Sequence, residues 1–134
     1  MGKIFTFKMV TPDGKMLIKD VDYVSVKTLD GVIGILKGHT PLETIVDISP
    51  LYLSLGNKKE EYALGGGILH VQKNLVTLLA DSFESKEEID INRAQDSMNR
   101  AQERLASHDE NIDLKRAEVS LKRALNRLKI AQKR

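Results

Sequence analysis

Residues 88–100 read EIDINRAQDSMNR, and they stand where one kind of sequence gives way to another. All nine glycines and all three prolines lie in the first half of the chain, and all six aromatic residues lie at or before Phe83. All seven arginines lie at or after Arg93. Glycine and proline disfavour helices, whereas arginine favours them. The change in composition therefore predicts two domains, residues 1–84 and residues 85–134.

The first domain has the pattern of β-strands. Apolar and polar residues alternate in KIFTFKMV at 3–10 and in LYLSL at 51–55, so one face of each segment would be apolar in an extended chain. Turn-forming segments separate these and further runs: TPDG at 11–14, LDG at 29–31, GNKKE at 56–60 and GGG at 65–67. Because a strand-like run follows the three glycines, we expect a close backbone approach there rather than a phosphate-binding loop. Short strands at this spacing predict an antiparallel β-sandwich or barrel.

The second domain has the pattern of two helices, predicted over residues 89–106 and 112–132. Their apolar stripes recur every three or four positions: Ile91, Ala94, Met98, Ala101 and Leu105, then Leu114, Ala117, Leu121, Ala124, Leu128 and Ala131. The polar segment SHDEN at 107–111 favours an antiparallel hairpin, so the whole chain is predicted as an α+β fold. The alanine-rich seam buries little apolar surface, and the hairpin alone should be marginally stable.

Charge divides the hairpin. Residues 84–113 carry nine acidic and four basic side chains, a net charge of −5, and residues 114–134 carry one acidic and eight basic, a net charge of +7. An acidic helix can pair with a basic one, although the attraction is modest at physiological salt. A released second helix would present a basic stripe to an acidic partner. Nucleic acid is disfavoured as that partner, because the chain's net charge is only +2 and residues 84–134 contain no stacking aromatic residue.

Several classes of function are disfavoured. The chain has no cysteine, hence no disulfides or thiolate metal ligands, and no apolar run long enough to span a membrane. Its three histidines, at 39, 70 and 108, are not spaced as metal ligands on one element. Neither a signal segment nor the signature of a catalytic nucleophile is present. We therefore expect a soluble, non-catalytic protein without a metal site of its own.

Four segments resemble the epsilon subunit of bacterial F-type ATP synthases: MVTPDG at 9–14, GILKGHTPLE at 34–43, GGGILHV at 65–71 and KRAEVSLKRALNRL at 115–128. The resemblance extends over the whole chain. It implies an N-terminal β-sandwich and two C-terminal helices in a non-catalytic rotor subunit of the proton-translocating enzyme. The sandwich would contact the gamma subunit and the ring of c subunits. The protein would be peripheral at the cytoplasmic face of the bacterial plasma membrane, held there only through the complex.

The resemblance also implies a movable hairpin. When compact, the hairpin permits ATP hydrolysis; when extended along gamma, it reaches the beta and alpha subunits and blocks hydrolysis. The basic second helix would then face an acidic segment of beta through Lys115, Arg116 and Lys122. Lys37 and His39 would lie in the loop nearest the c ring. Because the family often has proline where this chain has Lys37, the stiffness of that loop departs from the family pattern.

Residues 89–94 match a nucleotide-binding motif that some bacterial members of this family have, Ile/Leu-Asp-x-x-Arg-Ala, at every defined position. The motif residues and four outlying matches to the family are Ile89, Asp90, Arg93, Ala94, Glu84, Arg100, Arg123 and Arg127. The resemblance implies that these residues bind ATP, with or without Mg²⁺, as a regulatory ligand in the compact hairpin.

The chemistry of these residues suits ATP. Guanidinium groups stay charged and offer phosphate a planar fork of donors. The four arginines are predicted to point away from the alanine seam, which leaves them without a packing role. A carboxylate repels phosphate, so Asp90 or Glu84 would instead accept from the adenine amino group or a ribose hydroxyl. Because the P-loop pattern GxxxxGK[ST] is absent, such a site would sense ATP rather than hydrolyse it.

Simpler explanations stay open. Arginines on the outer face of a helix are most often solvated charges. Asp90 can act only as a helix N-terminal charge, and Arg123 and Arg127 only as contacts for beta. The alternatives to an ATP-sensing subunit are the same rotor subunit without a nucleotide site, which would be a mechanical coupler, and a small nucleic-acid-binding protein that uses the basic helix.

Overall fold

The computed structural model of the chain describes residues 3–107 and 109–132, so His108 lies outside the described residues. The strands are β1 (Phe5–Val10), β2 (Met16–Val21), β3 (Tyr23–Thr28), β4 (Gly31–Ile35), β5 (Leu42–Leu55), β6 (Lys58–Val71), β7 (Leu75–Ala80) and β8 (Phe83–Ser85). A 3₁₀ turn (Lys86–Glu88) follows, and the helices are α1 (Ile91–Ala106) and α2 (Leu114–Ala131). The two-part α+β architecture predicted from the sequence is confirmed.

The eight strands form one continuous sheet in the order β2-β1-β7-β6-β5-β3-β4, with β8 paired to β6. The long hairpin of β5 and β6, with 14 residues in each strand, runs through the centre of this order. Most neighbouring strands are antiparallel, as predicted, but β1 and β7 are parallel. The sequence does not reveal this pair, because parallel neighbours that are distant in the chain share no local turn signal.

Alternate side chains of the strands fill the interior of the sandwich. Phe5, Phe7 and Met9 are at most 4% exposed, which confirms the apolar face predicted for β1. Leu51 and Leu53 of β5 are likewise buried. Leu55 of the same alternating segment is 38% exposed, because it lies at the end of β5, beside the turn to β6. Burying such side chains supplies most of the favourable free energy of folding.

Gly65–Gly67 lie in β6 where the neighbouring strand passes from β7 to β8. Gly66 and Gly67 have φ angles of +90° and +156°, and a Cβ added to Gly67 would lie 2.3 Å from the carbonyl oxygen of Leu79. The amide of Gly65 donates to Ser82 (2.8 Å), and the amide of Asp81 donates to Gly66 (2.9 Å). The three glycines therefore serve a close backbone approach, as predicted, because a side chain at Gly67 would collide with the adjacent strand.

The helices begin two residues later than predicted, at Ile91 and Leu114, because the aspartates before them are capping residues. Asp90 accepts a hydrogen bond from the amide of Arg93, and Asp113 from that of Arg116, both at 3.0 Å. The buried seam contains Ala94, Ala101, Ala117, Ala124 and Leu128. Ile91 and Leu114 were predicted to belong to it, but they are 48% and 50% exposed, in the first turn of each helix.

Helix α2 joins the hairpin to the sandwich through a second buried face, which the sequence analysis did not predict. The side-chain amide of Asn126, 9% exposed, donates to the carbonyl oxygen of Leu64 in β6 at 3.2 Å. One turn later, Ile130 is fully buried in a cluster with Ala63 and Ile89. Because α2 packs on both α1 and the β5–β6 hairpin, its buried residues occupy more than one stripe.

We expect Gly67→Ala to destabilise the sandwich more than Gly31→Ala. Both glycines have positive φ angles, which should cost about 1–3 kcal/mol for alanine. A Cβ at Gly31 has no atom within 4 Å, whereas one at Gly67 meets the Leu79 carbonyl and should cost roughly 1–3 kcal/mol more. Urea unfolding of the two variants measures the difference. Equal losses would mean that the Leu79 backbone moves aside and that the close approach is not required.

Candidate functional site

A cleft of about 410 Å³ lies at the junction of the sandwich and the hairpin. Its volume is within the range of roughly 300–1,000 Å³ that is usual for small-molecule sites. Its walls are formed by Glu84, Glu88, Asp90, Arg93, Ala94, Ser97 and Arg127. The cleft thus brings together five of the eight residues predicted to bind a nucleotide: Glu84, Asp90, Arg93, Ala94 and Arg127.

Asp90 and Arg93 are joined through the start of α1. One Oδ of Asp90 accepts from the backbone amide of Arg93 at 3.0 Å, in the usual geometry of an N-cap. The three-residue spacing of this pair is therefore explained by helix capping, which agrees with the simpler explanation that Asp90 serves the N-terminus of the helix. The guanidinium of Arg93 is separate from this bond, and Arg93 is exposed along the cleft. A single turn of helix thus places a carboxylate and a guanidinium on the same wall.

Glu84 and Arg127 close the cleft from opposite domains. The Nε of Arg127 lies 2.5 Å from an Oε of Glu84, and both side chains are about one-third exposed or less. The sequence analysis gave the arginines no packing role, but Arg127 has a partner on β8. A partly solvated pair of this kind contributes at most about 1 kcal/mol. It ties α2 to the end of the sandwich and also sets Arg127 in the wall of the cleft.

The remaining predicted nucleotide-binding residues lie outside the cleft. Ile89 is only 8% exposed and packs with Ala63 and Ile130. Arg123 lines a narrow crevice that adjoins the cleft and shares Arg127 with it. Arg100 donates to the hydroxyl of Ser97 at 3.3 Å and so reaches the cleft only through that residue.

The sequence analysis did not include Glu88 and Ser97, which also line the cleft. One oxygen of Glu88 accepts from the amide of Ser85 at 2.9 Å, and the other accepts from the ammonium of Lys15 at 2.7 Å. These donors, Lys15 first, lower the pKa of Glu88 below its usual value, so it is ionised at neutral pH. The S-x-x-E spacing of Ser85 and Glu88 signals a capping box, and Ser97 stands one helical turn after Arg93. Both signals were available in the sequence.

The loop predicted to face the c ring is a tight turn. The amide of His39 donates to Leu36 at 3.1 Å, and Gly38 has a φ angle of +85°. Lys37 is exposed and occupies the second position of this turn, where proline is favoured. The Nδ1 of His39 lies 2.7 Å from the carbonyl oxygen of Thr40. Lysine is therefore compatible with the turn, although it does not restrict the backbone as proline would.

The basic residues of α2 differ in their surroundings. Lys115 and Arg116 are exposed at the start of the helix. Lys122, by contrast, forms an ion pair of 2.5 Å with Asp47 of β5, and the same oxygen of Asp47 accepts from the amide of Ile48 at 2.8 Å. Burial raises the pKa of Asp47, but these two donors outweigh that effect and the pKa is lowered. In the compact hairpin Lys122 is thus bound within the chain.

Within residues 3–107 and 109–132, no cluster of three or more histidine or acidic side chains has the arrangement of a metal site. Over the same described residues, no helix is both long and apolar enough to cross a membrane. The charged side chains that line the cleft are the carboxylates of Glu84, Glu88 and Asp90 and the guanidiniums of Arg93 and Arg127.

Two family models match consecutive parts of the chain. The β-sandwich domain of the ATP synthase delta/epsilon chain matches residues 4–86, and the long α-helix domain of the same chain matches residues 87–132. The match divides the chain just after β8, where the composition changes.

Curated relatives agree. The ATP synthase epsilon chain of Bacillus thuringiensis is 46% identical over 129 residues, covering 96% of this chain and 97% of the relative. That of Carboxydothermus hydrogenoformans is 46% identical over 106 residues, 79% of each chain. A chain of the Euglena gracilis mitochondrial ATP synthase has the same fold, with a TM-score of 0.83, 23% identity and coverage of 97% of this chain and 82% of that one. This protein therefore belongs to the family of ATP synthase epsilon chains, which are non-catalytic subunits of the ATP synthase complex.

Proposed function

We propose that the chain is a rotor subunit of the proton-translocating F-type ATP synthase, which couples F1 to the c ring and regulates hydrolysis through its hairpin. The fold of the chain supports the first part, because the Euglena chain with this fold comes from an OSCP/F1/c-ring assembly. A second chain with this fold, at a TM-score of 0.58, comes from the central stalk/c-ring of the Tetrahymena thermophila mitochondrial ATP synthase. The gamma subunit and the c ring are then its direct partners. They would hold it peripherally at the cytoplasmic face of the membrane.

An apolar row on the outer face of the sheet suits a large protein partner. Ile45, Ile68 and Leu79 lie side by side on β5, β6 and β7, and each is between 45% and 56% exposed. The row continues through Val10 to Met16, on β1 and β2. Five adjacent strands thus present one contiguous apolar strip to solvent. Monomeric proteins rarely leave such a strip exposed to solvent. We therefore propose that the strip contacts the gamma subunit of the stalk.

The regulatory part of the proposal rests on one observation, the division of the cleft among three segments. Glu84 and Glu88 lie in β8 and the 3₁₀ turn after it, Asp90 and Arg93 at the start of α1, and Arg127 in α2. A ligand that contacts all three segments can bind only while the hairpin is folded against the sandwich. Such a ligand stabilises the compact state by RT ln(1 + [L]/Kd). Nucleotide concentration would therefore control how often the hairpin opens.

ATP is the ligand that fits this mixture of charges. Arg93 and Arg127 would bind the phosphates, and the carboxylates of Glu84 and Asp90 would accept from the adenine amino group or the ribose hydroxyls. Mg²⁺ would arrive with the nucleotide. Because Arg127 pairs with Glu84 in the free protein, phosphate must share or displace that contact. If no nucleotide binds, the cap at Asp90 and the Glu84–Arg127 pair suffice to explain these residues, and the chain is a mechanical coupler.

Opening of the hairpin would release the basic face of α2. Lys115 and Arg116 are already exposed, and Lys122 becomes available once it leaves Asp47. An acidic segment of the beta subunits can then replace Asp47 as the partner of this face. The proposed inhibition of hydrolysis thus competes with docking of α2 on the sandwich.

Titration of the isolated protein with ATP by calorimetry, with and without Mg²⁺, tests the nucleotide site. We expect saturable binding that Arg93→Gln and Arg127→Gln each weaken by about tenfold or more, since charge-assisted hydrogen bonds to phosphate are lost. The control is Arg104→Gln, an exposed arginine near the end of α1 that does not line the cleft. Asp90→Asn keeps the helix cap and isolates the role of the carboxylate. Absence of saturable binding by the native protein would leave the mechanical coupler.

We expect Asp47→Asn and Lys122→Gln to loosen the hairpin without nucleotide, by roughly two- to fivefold in the docking equilibrium. The amide oxygen introduced by Asp47→Asn can still accept from the amide of Ile48, so this change removes chiefly the ion pair. Hydrogen exchange of α2 measures docking, and Lys115→Gln is the control. The double variant should be no looser than either single variant. Additive effects would show that the two residues act separately.

Replacement of Ile68 by aspartate should weaken association with purified gamma subunit by about tenfold or more, because a charge would be buried in the apolar row. Leu114→Asp is a suitable control, since Leu114 is similarly exposed but stands on α2. Calorimetric titration of gamma with each variant measures the effect. Native affinity in Ile68→Asp would place the gamma contact elsewhere on the sandwich.

A further inference from the structure

Lys15 contacts the segment between the two domains from a distant part of the sequence. Its ammonium donates to the carbonyl oxygen of Phe83 and to Glu88, both at 2.7 Å. It also lies 4.5 Å from the centre of the Phe83 ring, within the range of a cation–π contact. These three contacts bridge β8 and the 3₁₀ turn. One lysine of the β1–β2 loop thus holds both ends of the segment that leads into α1.

The loop that carries Lys15 is closed by its own hydrogen bonds. The amide of Thr11 donates to the carbonyl oxygen of Lys15 at 2.9 Å, and the amide of Lys15 donates to the hydroxyl of Thr11 at 3.0 Å. The amide of Gly14 donates to Thr11 at 3.0 Å, and Gly14 has a φ angle of +92°. The lysine therefore projects from a fixed turn rather than from a flexible loop. Its contacts therefore cost less backbone entropy than they would from a mobile loop.

The other end of the contact is equally constrained. Glu88 accepts from Lys15 with one oxygen and from the amide of Ser85 with the other. Glu84 and Glu88, on either side of this small ring, form the acidic wall of the cleft. Lys15 itself does not line the cleft. It can therefore affect a ligand without touching it, by fixing the carboxylates on the sandwich side.

We propose that Lys15 is a positioning residue for the junction cleft, and that it fixes residues 83–88 to the sandwich so that the hairpin pivots after Glu88. The next two residues, Ile89 and Asp90, have extended backbone conformations, which suits a pivot. The acidic wall then stays in place in both states, while Arg93 and Arg127 move with the helices. The effect of Lys15 on affinity rests on the proposed nucleotide site, but its effect on the segment does not.

The test uses two measurements on the full chain. The first is hydrogen exchange of residues 84–90 without nucleotide, where Lys15→Gln should speed exchange by roughly three- to tenfold and leave the sandwich strands unchanged. The second is ATP affinity, which Lys15→Gln should lower by a similar factor because the carboxylates lose their fixed position. Lys15→Arg should keep both the exchange rate and the ATP affinity close to those of the native protein. Lys73→Gln, in the exposed β6–β7 turn, is the matched control.

Glu88→Gln provides a second variant, and its effect on exchange should not add to that of Lys15→Gln. If the native protein binds no ATP, the proposed nucleotide site fails, and the exchange measurement alone decides the role of Lys15. Native exchange at residues 84–90 in Lys15→Gln would overturn the proposal. Equal acceleration over the whole sandwich would also overturn it, because Lys15 would then merely cover Phe83.

Discussion

The docking of α2 on the β5–β6 hairpin is the contact on which the rest of the structure depends. The seam between α1 and α2 is lined mainly by alanines, and burial of methyl groups alone stabilises a helix pair weakly. The second buried face of α2, with Asn126 and Ile130, supplies what that seam lacks. Without it, the three segments that form the cleft would separate. The position of helix α1 depends on that of α2, because α1 packs mainly on α2.

The ion pairs add only modestly to the stability of the docked state. The Glu84–Arg127 and Asp47–Lys122 pairs are partly solvated, and each is worth at most about 1 kcal/mol. A ligand at one hundred times its Kd contributes about 2.7 kcal/mol to the state that it binds. Binding in the cleft would thus exceed either ion pair. This balance is consistent with the proposed regulation, since a tightly docked hairpin would not respond to a ligand or to a competing subunit.

Local patterns were sufficient for the two-domain architecture, because alternation in strands, three- and four-residue periodicity in helices and turn chemistry are properties of neighbouring residues. The parallel β1–β7 pair, the Asn126 contact and the Lys15 contact join residues distant in the chain, so no local signal indicates them. The same applies to Arg127, which has the pattern of a solvated helix residue but meets Glu84 of β8. The motif lies where the cleft is, and Arg93 and Arg127 line it, whereas Arg100 and Arg123 lie outside it.

The six-residue motif itself can be explained by packing and capping. Ile89 is buried against Ala63 and Ile130, Asp90 caps α1, and Ala94 is small enough for the seam. Three of the four defined positions therefore serve the fold of the junction. Together they define the first turn of α1 at the junction, and Arg93 is the defined position left exposed along the cleft. A ligand bound by this motif would favour the docked state, because Ile89, which begins the motif, is packed against the sandwich at Ala63.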